Sequence, residues 1–173
     1  MELISTFSYD IFLRLTVAVL LGLAIGAERI YAHKAAGMRT YAMVAMGASL
    51  FIIISQVVAS VYSGGGNGID PLRMASQIIV GVGFLGSGLI IFKDDKLSGV
   101  TTASGLWVSA GIGMASGFGL YGLAIMTTLI TLFIFIVVWV VEQRFKTMFE
   151  TTDTNGSTEK TEAKPKAPRK TKE

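Results

Sequence analysis

Cysteine is absent from this chain of 173 residues, and histidine occurs once, as His33. Without cysteine there is no disulfide, no iron–sulfur cluster and no thiolate zinc site. One histidine cannot make a histidine-rich metal site alone. Charge is scarce too: Asp, Glu, Lys and Arg make up 16% of the residues and gather in a few clusters. What fills the chain is apolar, with 51% hydrophobic residues. That is the composition of a membrane protein, and the length fits one domain. The net charge of +3 requires no nucleic acid. Basic residues concentrate on the cytoplasmic side of membrane proteins in any case. The opening MELISTFSYD carries no basic start and no cleavage site follows, so the first apolar segment reads as an uncleaved helix.

The apolar runs predict an all-α, polytopic membrane fold with about five transmembrane helices. They fall near 11–27, 41–62, 72–92, 100–116 and 120–141. The first holds Gly22 and Gly26 as GxxxG, a pattern for close helix contact. It also holds Arg14, which either sits near the headgroups or faces the bundle and pairs with an acid. The third run is read as the central helix. Asp70 suits its N-cap and Pro71 its first position. Gly81, Gly83, Gly86 and Gly88 crowd its middle. Each glycine costs a helix about 1 kcal/mol relative to alanine, which makes sense where other helices approach closely. GVGFLG also fits the dinucleotide pattern G-x-G-x-x-G, but it lies inside one apolar run without a preceding strand, which argues against a nucleotide.

The fourth run is small and polar, so it is a buried span or a re-entrant piece, and the span is favoured because a helix satisfies its own backbone. Trp107, mid-segment, is expected to be buried as a packing anchor. The fifth run is aliphatic and aromatic and reads as the lipid-facing helix. Residues 1–149 then form the transmembrane domain, and 150–173 a disordered polar and basic cytoplasmic tail. Charged ends at 28–39, at 93–96 and after 142, with no basic residue in the outer loops, orient the chain, with the N-terminus outside and the C-terminus in the cytoplasm.

Two polar clusters are the candidate sites. The outer one is Arg14, Asp70, Arg73 and Gln77; spacings of three and four set the last three on one helix face. An Asp70–Arg14 or Asp70–Arg73 contact would offset the cost of burying charge. The inner one is Glu28, Arg29, Lys34, Arg39 and Thr40, with Thr101 and Thr102 opposite; Glu28 is expected among Arg39 and the threonine hydroxyls. A lone acid among cations reads as a structural ion pair. The acids are too few for a magnesium cage, and Asp94 and Asp95 are bracketed by Lys93 and Lys96. No nucleophile-and-base arrangement stands out, so neither enzyme, cofactor nor bound metal is expected.

Three ordered blocks carry a resemblance: GxERxxxxKxAGxRT, DPxRxxxQxxxGxGFLGxG and GxTTAxxxW. Together, over roughly residues 12–140, they resemble the membrane domain of the MgtC/SapB family of bacterial proteins. The family pattern falls on Glu28, Arg29, Lys34, Gly37, Arg39, Thr40, Asp70, Arg73, Gln77, the four glycines from Gly81 to Gly88, Thr101, Thr102 and Trp107. The resemblance implies a multi-pass protein of the bacterial inner membrane, linked to growth under magnesium limitation and to virulence. It implies modulation of other membrane machines, including the F-type ATP synthase and cation or phosphate uptake. Longer members carry a cytoplasmic ligand-binding-like domain where this chain has a polar tail.

Two functions compete. One is a regulator whose helices dock on another membrane complex. The other is a transporter or channel for Mg2+ or another small ion, working as a homo-oligomer, with Arg14, Glu28, Arg39, Asp70 and Arg73 along its path. The expected partners are the lipid bilayer and, for the regulator, a membrane protein such as ATP synthase or a cation transporter. Nucleic acid is not among them.

Overall fold

The computed structural model describes residues 2–62, 70, 72–93, 95–141 and 144. Pro71, Asp94, Glu142, Lys146, the 63–69 loop and the tail from 150 lie outside them, so the readings placed there stay untested. Helix α1 runs Glu2–Tyr31, α2 Met38–Tyr62, α3 Leu72–Ser87, α4 Val100–Gly117 and α5 Tyr121–Phe133, followed by a π-helical turn at Ile134–Val138. Three stretches, Ser8–Tyr31, Met38–Val61 and Tyr121–Val141, are long and apolar enough to cross a membrane. The chain divides after Phe135, and the described residues beyond it, 136–141 and 144, are helical.

The chain reverses on left-handed residues. His33, at φ 54°, closes α1, and Lys34 N–H donates back to the Arg29 carbonyl at 3.0 Å. Gly119, at φ 77°, closes α4 in the same way, with Leu120 N–H on the Ala115 carbonyl at 2.8 Å. In α5, Thr127, Thr128 and Thr131 each donate to the carbonyl four residues back, which satisfies their hydroxyls without an outside partner.

The third helix departs from the expected span over 72–92. It ends at Ser87 after 16 residues, about 24 Å of rise. Ile91–Lys93 then pairs antiparallel with Lys96–Ser98 as strands β1 and β2. The β-branched and aromatic run Ile90–Ile91–Phe92 favours an extended backbone. Gly99 secures the change: its φ is 87°, and a Cβ there would fall on the Leu89 carbonyl oxygen.

The central helix is α4 rather than α3. It packs against each of α1, α2, α3 and α5. Helices α2 and α4 run parallel in one register. Ser109 Oγ donates to the Tyr41 carbonyl at 3.0 Å. A Cβ on Gly113 would fall on the Ala45 carbonyl, and one on Gly117 would lie 2.8 Å from the Ser49 carbonyl. Small residues four apart thus lay the α4 backbone along α2. On the other side, a Cβ on Gly22 would sit 2.8 Å from Ala42 Cα, and one on Gly26 would strike Met38. Helix α2 is clamped between two neighbours at backbone distance. Around this seam lie Ile25, Tyr41, Leu106, Ile112 and Phe135, with Ile52, Ile78, Val82 and Ala110 in a second cluster beneath α3.

Candidate functional site

At the end of the bundle where α2 and α4 finish, Arg14 gathers the polar groups. Its Nη1 donates to Gln56 Oε1 at 2.9 Å and to the Gly117 carbonyl at 2.8 Å. Its Nη2 lies 2.7 Å from Asp10 Oδ2. The guanidinium therefore ties three helices together: α1 through Asp10, α2 through Gln56, and the C-terminus of α4, where a cation complements the helix dipole. Arg14 Nε, Ser49 Oγ, Ser116 Oγ and Tyr121 Oη are buried and have no hydrogen-bond partner among the described residues.

This geometry corrects the expected pairing. Asp70 contacts neither Arg14 nor Arg73 in an ion pair. Its Oδ1 accepts the Leu72 N–H at 2.9 Å, capping α3, and the side chain is exposed. Arg73 and Gln77 are also exposed on α3. Sequence reading missed Asp10 and Gln56. Asp10 was visible in principle, since it stands four residues before Arg14 on one helix face. Gln56 carried no local signal, because it meets Arg14 across 42 residues.

At the opposite end, Arg29 is buried at 2% exposure. Its Nε pairs with Glu28 Oε2, and its guanidinium stacks 3.5 Å from the centroid of the Phe135 ring. A desolvated cation gains both from a neighbouring carboxylate and from an aromatic face. Tyr41, fully buried beside them, donates its hydroxyl to the Thr102 carbonyl at 3.3 Å. Gly105 leaves the space: a Cβ there would lie 2.5 Å from Tyr41 Oη and 2.8 Å from Phe135 Cζ. Glu28 is thus held by its sequence neighbour and not by Arg39. Arg39, Lys34, Thr40 and Thr101 are exposed, while Thr102 is buried. Adjacent helical residues point about 100° apart, so helical spacing alone does not predict a Glu28–Arg29 pair.

The glycines of α3 are placed differently from expectation. A Cβ on Gly81 or Gly83 would meet open space. Gly86 is in ordinary contact with Ala103, and Gly88 follows the helix end. The close backbone approaches fall instead at Gly22, Gly26, Gly113 and Gly117. Trp107 is 52% exposed. The 105–109–113–117 stripe faces α2 and position 107 lies roughly opposite on the helix, which turns the indole away from the seam. Among the described residues no three His, Asp or Glu side chains converge as metal ligands.

A family model described as the MgtC family matches residues 15–144. The chain belongs to the MgtC family. Its relatives agree. It is 41% identical over 126 residues to the Escherichia coli protein named "Putative magnesium transporter YhiD", covering 72% of this chain and 59% of that one. It is 42% identical over 120 residues to Protein MgtC of Salmonella typhimurium, covering 69% and 48%. An uncharacterized protein of Haemophilus influenzae is 41% identical over 125 residues, covering 70% and 52%. The chain thus spans about half to three-fifths of the length of these curated relatives. No solved structure matches. The MgtC match takes in the part-buried Glu28–Arg29 pair and the α2–α4 seam, and it begins one residue after Arg14. Family and apolar helices together make this MgtC-family chain a helical membrane protein.

Proposed function

We propose that this chain is a multi-pass protein of the bacterial inner membrane that crosses it about five times, with the N-terminus outside. It serves magnesium homeostasis by docking on another membrane complex, such as the ATP synthase, and changing that complex's activity. The observation that carries the reading is the closed seam. Between the Arg14 cluster and the Arg29 cluster, α2 lies at backbone distance from both α1 and α4, at Ala42 and Ala45. Each cluster is neutralised by its own carboxylate. A tightly packed centre with paired charges at either end suits a rigid body that presents its outer faces to a partner better than it suits a path for a hydrated divalent ion.

Transport through an oligomer is the second reading, and the name of the Escherichia coli relative favours it. Liposomes containing only this protein and an internal Mg2+ indicator separate the two. The regulator predicts influx equal to that of empty liposomes, together with recovery of a membrane complex by cross-linking in cells. Influx that falls on Asp70→Ala or Arg14→Ala would establish transport and end the regulatory reading.

A further inference from the structure

Helices α2 and α3 leave a groove of about 500 Å³ on the outer surface of the bundle. Its walls are Met43 and Phe51 from α2 and Met74 and Leu85 from α3, and Gly47 and Gly81 deepen it. A Cβ at either glycine would project into free space, so the backbone of both helices forms open floor rather than packed contact. The lining is apolar except for Gln77, which stands about one turn in from the Met74 end. One helical turn further out on the same face of α3 is Arg73, exposed and in no ion pair among the described residues.

From Met74 to Leu85 the groove runs about 16 Å along α3, close to one leaflet of a bilayer whose hydrocarbon core is about 30 Å thick. Its polar end coincides with the end of the bundle that bears Arg73. We propose that this groove is a binding site for one anionic phospholipid, with an acyl chain between α2 and α3 and the phosphate on Arg73, assisted by the Gln77 amide. Charge decides the occupant. A second copy of the chain would have to bring a carboxylate to Arg73. The acidic side chains described at this end are committed: Asp10 to Arg14 and Asp70 to the Leu72 N–H. A lipid phosphate supplies the missing anion and, through its chain, the apolar volume. It also accounts for glycine at Gly47 and Gly81, where alanine would strengthen both helices but narrow the groove.

Native mass spectrometry of the full chain in detergent, titrated with phosphatidylglycerol or phosphatidylcholine, tests the site. The unmodified protein is expected to retain one phosphatidylglycerol and to prefer it over phosphatidylcholine. Gly81→Leu and, on the opposite wall, Gly47→Leu fill the groove from positions with room for a side chain. Each is expected to weaken phosphatidylglycerol binding by roughly tenfold or more while the thermal unfolding temperature holds or rises. Arg73→Ala is expected to abolish the headgroup preference, since it removes a charge-assisted contact. Phosphatidylglycerol binding unchanged in both leucine variants would overturn the proposal. So would a dimer of the unmodified chain that these variants dissociate while lipid binding stays the same, since the groove would then belong to a second copy.

Discussion

At the residue scale, the same amino acid does opposite things in different places. Gly113 and Gly81 both cost their helices intrinsic stability. Gly113 recovers it because a Cβ would fall on the Ala45 carbonyl, whereas Gly81 faces open space. Gly113→Ala is therefore expected to destabilise the bundle by about 2 kcal/mol or more, as overpacking against backbone does. Gly81→Ala is expected to be neutral or to stabilise by up to about 1 kcal/mol. Thermal unfolding in a mild detergent measures both, and an equal loss at the two sites would refute the assigned seam. Arg14 is the second test. Its removal leaves the Gly117 carbonyl and Gln56 without their donor at the end of α4. Arg14→Ala is expected to cost about 1.5–3 kcal/mol, the range for hydrogen bonds to a charged group. Asp10→Ala is expected to cost less, because Asp10 is 46% exposed and solvent screens the pair.

At the element scale, the decisive piece is the passage from α3 to α4. The apolar letters continue without a break from Leu72 to Phe92, and apolarity alone reads as one span. The break becomes visible only in where the backbone goes: a helix that stops at Ser87, a hairpin paired Phe92 to Leu97, and a left-handed Gly99 against Leu89. Gly99→Ala is expected to destabilise by at least about 1–2 kcal/mol, since alanine is strained at positive φ and its Cβ has no room. A shift in unfolding midpoint no larger than that of Gly81→Ala would show that the hairpin is not held there. The fourth segment was legible in a different sense. Its small, polar letters pointed to burial, and α4 is the most widely packed helix of the bundle. Its partner and register were not legible, because the spacing of Gly105, Ser109, Gly113 and Gly117 does not name Tyr41, Ala45 and Ser49 as what they meet.

On the scale of the whole molecule, the two charge clusters mark the two ends of the bundle. The Arg14 group joins α1, about three turns in, to the C-terminal parts of α2 and α4. At the other end Arg29, near the end of α1, stacks on Phe135 beside the Tyr41–Thr102 bond that joins the starts of α2 and α4. With the proposed orientation, single cysteines introduced into this cysteine-free chain report the topology directly. Lys34→Cys and Asp95→Cys are expected to react with a membrane-impermeant maleimide only after the cells are opened. Asp70→Cys is expected to react from outside. Outside labelling at Lys34 would invert the proposed orientation, and labelling of Asp95 and Asp70 from the same side would mean that α3 does not cross.

Composition, the order of the apolar runs and three motif blocks were enough to determine a helical membrane protein of the MgtC family, because hydropathy and local spacing are properties of the letters themselves. Tertiary structure alone decided that Gln56 meets Arg14, which glycines carry a neighbour's backbone and which helix stands in the middle. Those outcomes depend on atoms that meet across 42 or 68 residues of chain. Contacts of that kind are set by how whole helices fit together, and no window of sequence contains them.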